Sequence, residues 1–196
     1  SRRRIGTMVE LDVLAMSMRD VPQRLDLTSG VERFRHTWSN LETLRVSIDD
    51  LAMTRFLRDR LAHRPLGDLE VRISGGDVYV AGELNEGSVA PFLVRLRIEP
   101  AGAPALQSII VSAFSARIYA PHDVSAPIVA GWLLEAFGDD FNRQGCSLGV
   151  VSPLPALMGY IFSELGWKIP AFRDVGIEQI SVEAGRIHLK LSRPEK

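Results

Sequence analysis

Residues 69–84 alternate so regularly that an antiparallel hairpin is almost the only structure that satisfies them. Leu69, Val71 and Ile73 are interleaved with Glu70 and Arg72, and after Gly75-Gly76 the pattern resumes at Val78, Val80 and Leu84. Successive side chains of a strand point to opposite faces, so the apolar set falls on one side of a sheet and the charged set on the other. The glycine pair supplies the positive φ angles that a tight hairpin turn demands. A sheet with one apolar face must be covered, and a candidate cover lies just upstream. In DLAMTRFLRDRL, Met53, Phe56, Leu57 and Leu61 share one helical stripe while Arg55, Arg58, Asp59 and Arg60 occupy the rest. Asp49 or Asp50 can cap that helix, and Pro65 and Gly67 stop it.

The same alternation recurs along the chain. Leu44, Val46 and Ile48 lead into the helix, and Phe92, Val94, Leu96 and Ile98 alternate with Arg95, Arg97 and Glu99. A long strand is predicted over 106–120, where length alone requires a bend or bulge. The C-terminal GIEQISVEAGRIHLKLSR reads as two strands turning at Ala184-Gly185, with Ile187, Leu189 and Leu191 on the buried side. Residues 5–18 carry both a strand period and a capping box at Thr7 and Glu10, and the strand is preferred; the RLDLTSGVERFRHTW stretch reads as two further strands about Ser29-Gly30. These N-terminal strands occupy 5–43 of what is expected to be one domain over all 196 residues.

Composition excludes more than it selects. Of 23 basic residues only Lys168, Lys190 and Lys196 are lysines, and 24 acidic residues bring the net charge to −1, which argues against a dedicated nucleic-acid binder. Cys146 stands alone, so neither an internal disulfide nor a cysteine metal cluster is expected. None of His36, His63, His122 and His188 has a second His at metal-binding spacing, and no cofactor is implied. No apolar run reaches the ~20 residues that cross a bilayer, and no secretory leader is recognisable; cytoplasmic and periplasmic locations both stay open.

The nearest approach to a catalytic motif is Gly145-Cys146-Ser147-Leu148-Gly149, a G-x-S-x-G match with Asp174 and His188 downstream. A nucleophile elbow needs a strand before the serine and a helix after it. The flanking GDDFNRQ and VVSPLP supply neither, so a loop is expected and a serine hydrolase is the weakest of the functional readings. The run from Asp140 to Gly145 imitates a calcium loop, but Val151 stands where the bidentate Glu belongs. Arg55, Arg58, Arg60 and Arg64 offer a face for an anionic head group, or simply a solvated helix surface; Arg72, Arg95, Arg97 and Arg117 are expected on the outer face of the sheet.

Between Ser125 and Trp167 only Glu135, Asp139, Asp140, Arg143 and Glu164 are charged. Two helices are predicted there: one capped by Ser125 with Pro127 in its first turn and Gly138 at its end, the other over 154–165. Both are apolar nearly all round, so they are buried on two sides or face something other than water. Trp132, Leu133, Phe137, Phe141, Met158, Tyr160, Phe162 and Trp167 are the candidates to line or gate a cavity. The competing reading packs both helices on the sheet, or uses residues 126–167 as a homodimer or partner interface.

The order VSIDDLAMTRFLRDRL, GDLEVRISGGDVYVAGEL, FLVRLRIEP and IPAFRDVGIEQISVEAGRIHLKL resembles the small bacterial single-domain members of the tubular lipid-binding superfamily over about residues 44–192. That resemblance implies an α+β fold, a long curved antiparallel sheet wrapped around a helix, with an internal apolar tunnel for acyl chains and no catalysis. It implies transport or carriage of a lipid or other apolar small molecule, with peripheral membrane contact. Inward candidates are then Phe56, Val80, Val94, Leu96, Phe114, Ile118 and Leu189. The helical insertion at 125–165 exceeds what the family core needs and serves as a candidate mouth.

Overall fold

A computed structural model describes residues 2–3, 11–19, 40–100, 109–137, 147–150, 154–155, 158–159, 162, 169–172 and 174–193. In chain order its elements are β1 (Arg2–Arg3), β2 (Leu11–Arg19), β3 (Asn40–Asp49), α1 (Asp50–Arg60), β4 (Leu66–Ser74), β5 (Asp77–Glu86), β6 (Ser88–Pro100), β7 (Ile109–Ile118), α2 (Ala126–Glu135), β8 (Ser147–Val150), β9 (Gly176–Glu183) and β10 (Arg186–Ser192). The architecture is α+β and its strands pair antiparallel. They divide into two five-stranded sheets, β1-β2-β3-β10-β9 and β4-β5-β6-β7-β8.

The hairpin forms as its alternation requires. Val71, Val80, Val94 and Ala116 are consecutive cross-strand partners, and so are Ile73, Val78, Leu96 and Ala113, which puts all eight on the inner face of the second sheet. Gly75 and Gly76 turn the hairpin at φ 60° and 85°. Gly82 is needed for packing instead: a Cβ there would lie 2.8 Å from the Phe92 ring and 2.9 Å from Leu69.

Helix α1 begins where an acidic cap was expected. The Asp49 carboxylate accepts a 2.7 Å bond from the Ala52 amide, and Met53, Phe56, Leu57 and Leu61 are all buried. Thr54 ties the helix to the edge of the second sheet, donating to the Asp50 carbonyl at 2.8 Å and accepting from the Val71 amide at 3.0 Å. A sheet edge carries amides with no ladder partner; here a helix side chain satisfies one of them. The arginine face of α1 is not simply solvated. Arg58 donates to the Leu69 carbonyl at 2.9 Å, Arg60 to the Ala136 carbonyl at 3.3 Å, and Arg64 pairs with Glu135 at 2.5 Å while lying over the Trp132 ring. Three of the four basic residues therefore brace the helix against β4 and α2.

Gly185, in the β9–β10 turn at φ 78°, links the sheets: its amide donates to the Ile73 carbonyl at 2.7 Å and its carbonyl accepts from Asp50 at the start of α1. On the first sheet, Ile48–Ile187–Val182 and Val46–Leu189–Ile180 are cross-strand rows of one face. The second row packs with the completely buried helical residues Leu154, Met158 and Phe162, whereas Ile187 and Val182 belong to the core beneath the second sheet. Helix α2 lies on β7, burying Val129, Ala130, Leu133 and Leu134.

The loop expected around Ser147 is a strand instead. Ser147 opens strand β8 and pairs with Ser112 of β7 in the second sheet, whereas His188 lies on β10 in the first. No helix follows Ser147 directly, because its next three residues continue the strand. The expected turn at Ser29-Gly30, the capping box at Thr7 and Glu10, Gly138, the Asp140–Gly145 run, Tyr160 and Trp167 lie outside the described residues.

Candidate functional site in the apolar interior

The interior has two parts with one seam. Beneath the second sheet, α1, β4–β7 and α2 enclose a core in which Leu57, Val78, Val80, Leu84, Val94, Leu96, Val111 and Leu133 have no exposed surface. Beneath the first sheet, Leu41, Leu44, Val46 and Leu191 pack with Leu154, Met158 and Phe162. Ile48, Ile109 and Ile180 pack against both cores.

Those three isoleucines are only half-buried, although each points inward. Ile48 is opposite the buried Ile187, Ile180 is opposite the buried Leu189, and Ile109 lies two residues from the buried Val111 on the same strand face. Half-buried Ala113, Ala116 and Ile118 of β7 and Val182 of β9 pack against the larger core alone. The inner faces of the two sheets are thus filled at their centres and keep partly exposed apolar side chains at the seam. Every side chain named in the lining is apolar, so it can hold hydrocarbon by burial but can perform no acid–base or nucleophilic step.

The sequence-derived candidates fall into distinct places. Phe56 at 8% exposure, Val80, Val94, Leu96, Leu133, Met158, Phe162 and Leu189 are buried core residues. Trp132, Phe137 and Ile118 are half-buried against the larger core, Phe137 tilted against Phe56 with ring centroids 5.6 Å apart. Phe114 departs from its inward expectation: it is 60% exposed on the outer face. The reason is a bulge. Ser115 is opposite Arg95 and Ala113 is opposite Leu96, so Phe114 is the extra residue between them, and alternation counted through an unbroken strand puts it on the wrong side. The seam isoleucines Ile48, Ile109 and Ile180 were not singled out from sequence, since nothing in their alternation distinguishes them from neighbours that close into the core.

Once outside, Phe114 joins a closed polar cluster. The Asp77 carboxylate, 1% exposed, accepts from Arg95 and, at 3.0 Å, from Arg97, and the two guanidinium groups lie 5.1 and 4.7 Å from the centre of the Phe114 ring. Burial raises the Asp77 carboxyl, but hydrogen bonds and the charges of Arg95 and Arg97 together outweigh it and hold the group below its ordinary value. Arg72 and Arg117 share this outer face, in register with Tyr79 and Leu93 respectively.

Among the described residues no group of three or more His, Cys, Asp or Glu side chains is placed to hold a metal ion, and no helix is long and apolar enough to cross a membrane. Compared with known family models, curated proteins and solved structures, the chain matches none.

Proposed function

We propose that this protein binds or carries a lipid or other elongated apolar molecule without catalysis, in the interior between its two sheets. The observation that carries the reading is the seam: Ile48, Ile109 and Ile180 face inward and touch both cores, yet remain half-buried. An apolar chain laid along them removes their remaining surface from water, and each buried CH₂ of the ligand contributes about 0.8 kcal/mol. A dozen such groups give substantial affinity with almost no polar contact, which accounts for a binding site without a sharp motif. In this reading the strands curve around α1, and the apolar segment that includes α2 controls entry.

The test is native mass spectrometry of protein purified without detergent, paired with uptake of a fluorescent fatty acid. Co-purifying lipid and uptake weakened by Ile180→Gln are expected. Absence of both lipid and uptake contradicts the proposal. Exposed Pro127 and 47% exposed Ile128 on α2 favour a second reading, a homodimer or partner interface. Sedimentation at micromolar concentration separates the two, because a strict monomer counts against the homodimer.

A further inference from the structure

We propose that a cleft on the outer face of the first sheet is a binding site for a phosphate monoester group. The cleft has a volume of about 390 Å³ and is lined by Arg45, Val46, Gln179, Ser181, Glu183, His188, Leu189 and Lys190. This is the face opposite the apolar interior, so the site is independent of the lipid reading.

Register creates the site. Arg45 of β3 and Gln179 of β9 are the two cross-strand partners of Lys190 on β10, and in the next row Ser47 and Ser181 flank His188. Two cations directly opposite each other in a sheet repel. One carboxylate answers them: Glu178, the extra residue of a bulge in β9, binds Lys190. Hydrogen bonds from Lys190 and Ser192 lower the Glu178 carboxyl, and Arg45 adds only its charge at a distance. Among the described residues the side chains of Arg45 and Gln179 have no hydrogen-bond partner. His188 approaches Glu183 at 3.9 Å, too far for a hydrogen bond.

The cleft therefore gathers a guanidinium, an ammonium, an amide, a hydroxyl and an imidazole around a space of small-molecule size, with Arg45 uncommitted. A guanidinium fork matches the oxygens of a phosphate, and charge-assisted bonds to it are the strong ones. Glu183 accepts from hydroxyls on the remainder of the ligand. A phosphate ester bearing hydroxyls, as a free metabolite or as a lipid head group, fits this donor and acceptor set.

The experiment is an amide-resolved NMR titration of the full chain with inorganic phosphate and glycerol 3-phosphate, run beside flotation with phosphatidylcholine vesicles that do or do not contain phosphatidic acid. Perturbations centred on Arg45, Gln179, Ser181 and His188 are expected. Arg45→Gln should weaken binding by about tenfold or more, and Glu183→Gln should strengthen it by removing a negative charge. Opposite responses to two exposed substitutions cannot come from misfolding, and an unchanged melting temperature verifies this. Binding of the soluble ester identifies a free metabolite as the source, whereas flotation alone, lost in Arg45→Gln, identifies a head group. No perturbation in the cleft with any probe and no flotation overturns the proposal. So does binding that Arg45→Gln leaves unchanged.

Discussion

The core beneath the second sheet and the seam between the sheets are built from the same residue types on strands of similar pattern, yet one is closed and the other is not. Under the second sheet Val80, Val94 and Leu96 lose all exposure in one cluster with residues of α1 and α2, and α2 lies across β7. At the seam, Ile48, Ile109 and Ile180 meet each other's sheets and retain exposed surface. Apolar side chains that fill space stabilise the fold, whereas those left half-covered keep apolar surface in water. The difference between structural core and candidate site thus lies in coverage, not in composition.

Substitutions can break this comparison, and the largest effect belongs in the closed core. Leu57→Ala removes a fully buried side chain of α1 and should cost about 2–5 kcal/mol in denaturant unfolding. A cost below about 1 kcal/mol would mean that the core is not packed as described.

The next effect tests closure on the outer face of the same sheet. Asp77→Ala strips the buried carboxylate from Arg95 and Arg97 and should destabilise by about 2–4 kcal/mol, toward the lower end because both arginines keep water contact. The sign of its pH dependence follows from the lowered carboxyl. The stabilisation is complete above the unfolded-state value near 4 and is lost as pH falls through the lower folded value. Melting temperature should therefore drop on acidification below about pH 4 in the parent, and less steeply in Asp77→Asn.

Thr54→Val should cost about 1–3 kcal/mol, because it keeps the side-chain shape while leaving the Val71 amide at the sheet edge without its acceptor. The smallest stability effect is expected at the seam. Ile180→Ala should cost about 1 kcal/mol or less without ligand, since the side chain is only half-buried. It should nonetheless lower fatty-acid uptake, while Leu57→Ala acts mainly on stability. A reversal of that order would erase the distinction between core and seam.

Much of the fold was legible in the chain. Strict alternation located β4, β5, β6, β9 and β10, the Gly75-Gly76 pair located the hairpin turn, and the stripe of Met53, Phe56, Leu57 and Leu61 gave the buried face of α1. The expectation of one long sheet failed to anticipate the division in two, because alternation says which face of a strand is wet but not which strands share hydrogen bonds. Bulges hid the rest. The extra residue in β7 turns Phe114 outward onto Arg95 and Arg97, and the one in β9 carries Glu178 to Lys190. Ser147–Val150 was expected in a loop but adds a strand beside β7, a long-range pairing with only a short local β signal. The seam depends on how two sheets meet, and no local pattern in the sequence encodes that meeting.

The most direct test of the central claim is native mass spectrometry of the intact chain purified without detergent, compared with Ile180→Gln prepared identically. A population heavier than the bare chain by the mass of an apolar molecule is expected, reduced in the variant while both proteins remain folded. A parent protein that carries no such mass and takes up no fluorescent fatty acid would contradict it.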